Sequence, residues 1–329
     1  MKKIKLGSTG VEISKLGLGA WAIGGGSWWG DNDDAESVAS IHAALEQGFT
    51  LVDTAPAYGF GHSETVVGKA INDRRENVVL STKCALHWDE KRGGSLHAQR
   101  DGHTVYRNLS AKSIKLDLEA SLKRLNTDYI DIYITHWQSA PEFPVPVSET
   151  VAALMEMKQQ GKIRAIGASN VNADIIKEYL KHGELNIIQE RYTMLDREKE
   201  DLFELCREKD IAIMAYSPLE QGLFTGKYGR EYEPEAGSSR SQRVWFKPKN
   251  FQLAWDMMDK WDVFCEKYGC TMAQLAIAWT AAQAEHLQVL VGARKIEQIA
   301  DNVKGGELVL APEDVALMRR LAVETVPVE

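Results

Sequence analysis

Cysteine is scarce in this 329-residue chain: four residues, at 84, 206, 265 and 270, with no CxxC pair and no regular spacing. A disulfide framework is therefore not expected, and a reducing cytoplasm is the compartment that fits. Long apolar runs are missing too. None approaches the roughly 18 residues that cross a bilayer. Lys2, Lys3 and Lys5 are followed by Leu6-Gly7-Ser8-Thr9-Gly10, not by the apolar core of a signal peptide. Positive charge is in deficit: 39 Lys and Arg against 47 Asp and Glu leave a net −8. No basic cluster offsets that balance, so neither nucleic acid nor an anionic membrane is an expected partner. A dinucleotide fingerprint is also missing, because Gly17-Leu18-Gly19 has no third glycine and leads into a Trp-rich loop, not a helix. His87, His97 and His103 share a segment with Cys84, but their spacing fits no ligand pattern, and no metal is expected.

What is present is a rhythm. With 44% hydrophobic and 26% charged residues the chain is globular and long enough to bury a sizeable core. Ile4-Lys5-Leu6 and Val11-Glu12-Ile13 flank a glycine-bearing turn and read as a hairpin. Eight short apolar runs follow: Lys15–Ala20, Phe49–Asp53, Val78–Lys83, Ile130–His136, Ile163–Asn170, Ile187–Gln189, Ala212–Ser217 and Leu287–Val291. Helix-length amphipathic segments separate them. Ala35–Gln47 and Val147–Gln160 stop at Gly48 and Gly161, as helices closed by a left-handed glycine do. Ser113–Leu125 and Asn172–Lys181 open on capping-type residues. Strands that are apolar throughout must be covered on both faces, which alternating helices accomplish. Eight such units predict a (β/α)8 TIM barrel, not a doubly wound sheet. We expect one domain over 1–329, with an N-terminal β-hairpin and extra helices and long loops at the C-terminal rim. Two segments, 84–108 and 221–250, exceed ordinary loop length, and such loops are functional or mobile.

The chemistry lies where the apolar runs stop. One ends in Asp53, the next in Lys83 and a third in His136; later ones end at Ser169-Asn170, Gln189, Tyr216-Ser217 and Gly292-Ala293-Arg294. In a barrel these ends share one rim, where active sites sit. Tyr58, five residues beyond Asp53, would join them. Tyrosine is a poor acid at its ordinary pKa of about 10. An adjacent ammonium would lower that value, a carboxylate would keep the ammonium charged, and a histidine could orient a carbonyl oxygen. Such a set protonates an oxygen as negative charge develops on it, which carbonyl reduction by hydride transfer requires.

These residues lie within longer matches. Asp53-Thr54-Ala55-Pro56-Ala57-Tyr58-Gly59 with Ser63-Glu64, Ser81-Thr82-Lys83 and Thr135-His136-Trp137 come first, after Gly17-Leu18-Gly19. Gly161 to Asn170, Tyr216-Ser217-Pro218-Leu219, and Gly292-Ala293-Arg294 with Gln298 and Asn302 follow in order. Over nearly its whole length the chain resembles the aldo-keto reductases, most of all the bacterial reductases of small aldehydes of the methylglyoxal type. The resemblance implies reduction of an aldehyde or ketone, small or sugar-like, by NADPH or NADH, with Asp53, Tyr58, Lys83 and His136 as a catalytic tetrad and Tyr58 as general acid. It further implies that Trp21 and Asp53 adjoin the cofactor, and that Ser169, Asn170 and Gln189 hold the nicotinamide carboxamide while Tyr216 stacks on its ring. Ser217, Leu219, Gln221 and Gly222, with Lys227 and Arg240, would clamp the pyrophosphate. Gly292, Arg294, Gln298 and Asn302 would hold the adenosine end.

Arg294-Lys295 brings positive charge to where the extra phosphate of NADPH would sit, so NADPH is the expected donor, with NADH open. The competing reading has Arg294 stacking on adenine and discriminating nothing. Trp21, Trp88 and Trp137 are expected to wall the substrate pocket, and Trp28, Trp29 and Trp245 also fall in or beside rim loops. Trp255, Trp261 and Trp279 stand at helical positions and suit the core. Two other roles compete: a Schiff-base lyase using Lys83, and a nucleotide-sensing regulatory subunit with little turnover.

Overall fold

Successive residues of a strand face opposite ways, and that alternation sorts this chain into two cores. A computed structural model describes residues 1–88, 90 and 92–326. Strands β1 (Lys3–Lys5) and β2 (Glu12–Ser14) pair as the antiparallel hairpin expected from the sequence. Then come β3 (Leu16–Gly19), β4 (Leu51–Asp53) and β5 (Val79–Cys84). Three strands of an excursion follow, β6 (Leu86–Trp88), β7 (Ser95–Arg100) and β8 (His103–Arg107). The remainder are β9 (Ile130–Thr135), β10 (Ile163–Ser169), β11 (Ile187–Arg191), β12 (Ala212–Tyr216) and β13 (Leu287–Gly292). Strands β3, β4, β5, β9, β10, β11, β12 and β13 close into a parallel barrel in chain order. Each of the eight apolar runs contributes one of them.

Inside the barrel, Leu51, Ile132, Ile134, Ala165, Ile187, Ala212, Met214 and Leu290 pack with Ile4, Leu6, Val11 and Ile13 of the hairpin. The hairpin thus adds its apolar side chains to the barrel interior. Outside, Val52, Leu80, Tyr133, Ile166, Ile188 and Ile213 take the intervening positions and pack in the larger cluster with the helices. Trp261 and Trp279 are fully buried there, 5.7 Å apart, and Trp255 is partly buried against the same cluster.

Helix ends follow local chemistry. Gly48 (φ 87°) and Gly161 (φ 73°) adopt the left-handed conformation after their helices, and the Asn172 side chain accepts from Ile175 N at 2.9 Å. Ser113 does not cap. Its helix starts earlier, at Ala111, and Glu149 accepts the Ala111 N–H at 2.9 Å in place of a local side chain, which leaves Ser113 buried within the helix. The 84–108 segment is not a loop. It forms an antiparallel sheet in the order β6-β8-β7, and Asp101 (φ 50°) and Gly102 (φ 81°) make the tight turn of its hairpin. An Asp-Gly pair between strands is a strong hairpin signal in its own right. The second long segment holds 3-10 turns at Glu220–Thr225, Arg240–Gln242 and Val244–Phe246. It ends sooner than expected, because Pro248 takes the first position of a helix that runs to Tyr268.

Two glycines bring the loop after β3 against the loop after β4. A Cβ on Gly59 would lie 2.1 Å from Gly24 O, and one on Gly24 would lie 2.7 Å from the Tyr58 carbonyl carbon. Gly59 also has φ 62°, whereas Gly10 has φ 75° with nothing within 4 Å of its would-be Cβ. Gly59→Ala is expected to destabilise by about 2–4 kcal/mol, combining overpacking with a left-handed backbone. Gly10→Ala should lose the backbone contribution alone. Urea midpoints compare the two, and equal midpoints would show that the close approach beside Tyr58 carries no cost.

Candidate active site

Asp53, at the end of β4, is 1% exposed and accepts three hydrogen bonds. They come from Lys83 Nζ at 2.6 Å, Ser81 Oγ at 2.8 Å and Gln189 Nε2 at 3.1 Å. Lys83 is fully buried and gives a second N–H to Thr54 O at 2.8 Å. Ser81 and Lys83 are alternate residues of β5, so both reach Asp53. Thr82, between them, turns outward and donates to Glu64 at 2.6 Å. Glu64 also takes the Arg124 Nε–H at 2.5 Å, tying down the helix that follows Tyr58. The Lys83 ammonium lies 4.9 Å from the Tyr58 ring centre, and the His136 ring meets the same ring edge-on at 5.8 Å. Asp53, Tyr58, Lys83 and His136, scattered over 84 positions of sequence, therefore converge at one place on the rim.

Burial dominates the electrostatics. It pushes the Tyr58 phenol well above its ordinary value, with the negative charge of Asp53 adding to the effect. This reverses the expectation that the ammonium would lower it: Asp53 neutralises Lys83, so the phenol feels burial first. Burial lowers Lys83 against the pull of Asp53. His136 is driven well below the usual imidazole range by burial, then by the charge of Lys83. The site holds a protonated phenol beside a neutral imidazole.

The next strands supply a second polar group. Ser169 Oγ donates to Gln189 O at 2.7 Å, and Asn170 Nδ2 donates to His136 O at 2.9 Å and to Ser169 Oγ at 3.1 Å. The Tyr216 hydroxyl donates to Asn170 Oδ1 at 3.1 Å. Asn170 (φ 57°) and Ser217 (φ 60°) are left-handed, which turns the chain at the rim as β10 and β12 end. Asn170 thereby joins the backbone of His136 to Tyr216.

From here a cleft of about 440 Å³ runs along the rim. It is lined by Trp21, Asp53, Ser169, Asn170, Gln189, Tyr216, Ser217, Leu219, Gln221, Gly222, Lys227, Arg240, Gly292, Arg294, Gln298 and Asn302, the sixteen positions that the resemblance brings to a cofactor. Tyr58, His136 and Trp137 line it as well, while Lys83 stays behind Asp53. Arg240 Nε donates to Gln221 O at 3.0 Å. At the far end Arg294 N donates to Gln298 Oε1 at 2.8 Å, and Asn302 Nδ2 to Gly292 O at 3.4 Å. Gln221 Oε1 and Trp29 Nε1 are buried in this wall without a partner. An elongated cleft that leaves buried donors and acceptors unmatched suits a long polar ligand such as a dinucleotide.

A tryptophan strap borders the cleft. The Trp21 ring packs edge-on against Trp28 (5.4 Å) and Trp29 (5.0 Å), and lies 6.3 Å from Tyr58. Ser239 N donates to Trp28 O at 3.4 Å, and Arg294 Nη1 donates to Trp29 O at 3.4 Å and Asp31 O at 3.0 Å. Trp88 does not line the cleft. Leu86 does, and Trp88 stands two residues, roughly 6–7 Å of extended chain, further along β6. Its ring packs on Phe60 at 5.5 Å and beneath Arg124 at 5.8 Å. Trp245 is likewise outside the lining, packed against the core. Sequence reasoning missed Ser81, His97, Arg100 and Arg243. Ser81 alone carried a signal, its position two residues before Lys83. His97 and Arg100 reach the cleft only because 84–108 folds as a sheet. Among the described residues no group of His, Cys, Asp and Glu could hold a metal.

Comparison with known proteins gives the arrangement its context. The model of the aldo/keto reductase family matches residues 15–323. The chain is 48% identical over 325 residues to the NADH-specific methylglyoxal reductase of Escherichia coli K12, covering 98% of each. It is 38% identical to the aldo-keto reductase YhdN of Bacillus subtilis, covering 91% of this chain and 87% of that one. Among solved structures, the glycerol dehydrogenase AKR11B4 of Gluconobacter oxydans superposes with a TM-score of 0.88 at 30% identity, over 99% of this chain and 97% of the other. An aldo-keto reductase of Klebsiella pneumoniae in complex with NADPH superposes at 0.73 with 26% identity, over 98% and 95%. A family match over nearly the whole barrel, together with relatives aligned almost end to end, establishes that this chain belongs to the aldo/keto reductase family and is an NAD(P)H-dependent oxidoreductase.

Proposed function

We propose that this reductase converts a small aldehyde of methylglyoxal size to the alcohol, with Tyr58 as general acid and NADH as the preferred donor. The observation that carries the reading is the convergence of a buried Lys83–Asp53 ion pair, a protonated Tyr58 and a neutral His136 at the mouth of one cleft. The dinucleotide, when bound, supplies the hydride. Ser169, Asn170 and Gln189 hold its carboxamide and Tyr216 its ring; Ser217, Leu219, Gln221, Gly222, Lys227 and Arg240 hold the pyrophosphate, and Gly292, Arg294, Gln298 and Asn302 the adenosine. His136 donates a hydrogen bond to the substrate carbonyl oxygen and fixes its direction. Tyr58 passes its proton to that oxygen as charge develops there. Lys83, with two N–H bonds committed and one left, stabilises the phenolate that remains. Trp21, Trp28, Trp29 and Trp137 shield the reacting atoms from water.

The lyase alternative asks Lys83 for a free amine. Lys83 is fully buried and bonded to Asp53 and Thr54, so its nitrogen meets no substrate. No observation favours a sensing subunit. We place the enzyme in the cytoplasm on its four free thiols. Among the described residues no helix is long and apolar enough to cross a membrane.

The choice of NADH over NADPH rests on how the adenosine end is used. Arg294 Nη1 is engaged by two carbonyls of the tryptophan strap, and Lys295 pairs with Glu36 at 3.4 Å. Asp301 adds a carboxylate to the same lining. The positive charge that pointed to NADPH in the sequence is thus largely occupied, and the 48%-identical relative is NADH-specific.

Tyr58→Phe is expected to lower kcat by about 10²–10⁴-fold while NADH still binds, read by absorbance at the nicotinamide band and by fluorescence titration. Strong residual turnover would remove Tyr58 from the acid role. For the wild type, kcat/KM for reduction should be flat from about pH 6 to 9. The raised Tyr58 pKa keeps the acid protonated upward, and the lowered His136 pKa keeps the imidazole neutral downward. An acid limb near the ordinary histidine value would show that His136 titrates freely. Arg294→Ala should weaken NADH and NADPH alike by loosening the strap, whereas a loss confined to NADPH would restore the 2′-phosphate role.

A further inference from the structure

Five cationic side chains line the cleft beside the buried lysine: Arg100, Lys227, Arg240, Arg243 and Arg294. Most are engaged or solvated. Arg100 donates to Ala57 O at 3.0 Å, Arg240 to Gln221 O at 3.0 Å and Arg294 to the strap; Lys227 is exposed. Arg243 differs from all of these. It is only partly exposed, its Nε is buried without a partner, and among the described residues its guanidinium has neither a hydrogen bond nor an ion pair. Glu220, whose negative charge acts on Arg243, is fully buried and already paired with Arg191. An N–H withdrawn from water without a hydrogen-bonding partner is costly unless an acceptor meets it, and among the described residues the other N–H groups of this guanidinium are uncommitted too.

Its position says which anion. Arg243 lies over the Trp21 ring at 5.4 Å, and that ring, packed edge-on against Trp28 and Trp29, has the Tyr58 ring 6.3 Å away. Arg240, proposed above for the pyrophosphate together with the Gln221 to whose carbonyl it donates, sits instead over Trp29 and Tyr228. Arg243 therefore stands one aromatic ring from the proton donor, at the reacting end of the cleft. We infer that Arg243 is a specificity-determining residue that binds an anionic oxygen, carboxylate or phosphate, carried by the carbonyl substrate. The enzyme then takes small acidic aldehydes, of which glyoxylate is the simplest, in preference to their neutral isosteres. The inference rests on carbonyl reduction at Tyr58. The other source of the same chemistry is a phosphate of the dinucleotide, which the test separates.

The experiment uses inert ligands first, so that it does not depend on turnover. Oxamate and its neutral isostere oxamide are titrated into the NAD⁺-loaded wild type, Arg243→Gln and Arg243→Lys, and read by tryptophan fluorescence, since Trp21 lies beneath the guanidinium. The wild type should bind oxamate more tightly than oxamide. Arg243→Gln should weaken oxamate by about 10- to 100-fold, the worth of one charge-assisted hydrogen bond, with Arg243→Lys between. The ratio of kcat/KM for glyoxylate to that for methylglyoxal should fall by the same factor, mainly through KM. Equal binding of oxamate and oxamide by the wild type overturns the inference. So does a parallel loss of NAD⁺ affinity in both variants, which assigns Arg243 to the dinucleotide phosphate. Absent turnover with selective oxamate binding would remove the reductase reading and leave the anion site standing.

Discussion

The ion pair between Lys83 and Asp53 is the constraint on which the rest of the site depends. Two opposite charges, essentially without solvent contact, sit 2.6 Å apart at the top of the barrel. Removing both from water costs several kcal/mol per ion, and their attraction offsets this only when the remaining hydrogen-bonding capacity is met. Here Ser81, Gln189 and Thr54 meet it. The bonds link β4, β5 and β11, so the pair also fixes the relative height of three strands. Losing either partner would strand a buried charge, at a cost of about 3–5 kcal/mol. The arrangement tolerates that risk because the pair neutralises itself: it sets the lysine ammonium 4.9 Å from the Tyr58 ring centre without imposing a net charge there.

That neutrality explains why Tyr58 and His136 shift in opposite directions. Each is neutral in the form that burial favours, the phenol protonated and the imidazole unprotonated. In the mechanism proposed above, the tyrosine then has a proton to give and the histidine an N–H to aim, and neither competes for the other's role. An exposed version of the same four residues would hold a freely titrating histidine near neutral pH and a weaker lysine field. Burial at the rim is what sets the two protonation states apart.

Much of this was legible in the sequence, for a physical reason. Parallel strands covered on both faces read as unbroken apolar runs, so the first polar residue after each run marks the rim. Asp53, Lys83 and His136 stood out that way, and so did Ser169, Asn170 and Gln189. The segment 84–108 was not legible by the same rule, because β6, β7 and β8 form an antiparallel sheet at the rim, with mixed polar and apolar residues in place of unbroken runs. Its Asp101-Gly102 turn was the signal available. Trp88 was misplaced with it, since a tryptophan near a rim says nothing of which neighbour takes its ring. Arg243 was invisible: what distinguishes it from Arg240 is the absence of a partner, and partners are a property of the fold.

The cleft also carries a charge distribution that the net −8 conceals. Arg100 lies over Trp28 at 3.9 Å, Arg243 over Trp21 and Arg240 over Trp29, each at 5.4 Å. Three guanidiniums thus stand on three tryptophans that pack against one another, and Arg294 holds the backbone of the same strap. Cation–π contact keeps each charge at the wall while leaving donors for an anion. Lysines on the same wall would be better solvated and less fixed in direction. Because the strap contacts both the residues proposed for the adenosine end and the Tyr58 ring, a ligand that displaces Arg294 from Trp29 and Asp31 would be felt at Trp21. The residues proposed to seat the cofactor and those proposed to act on the substrate are therefore joined through one short, aromatic segment.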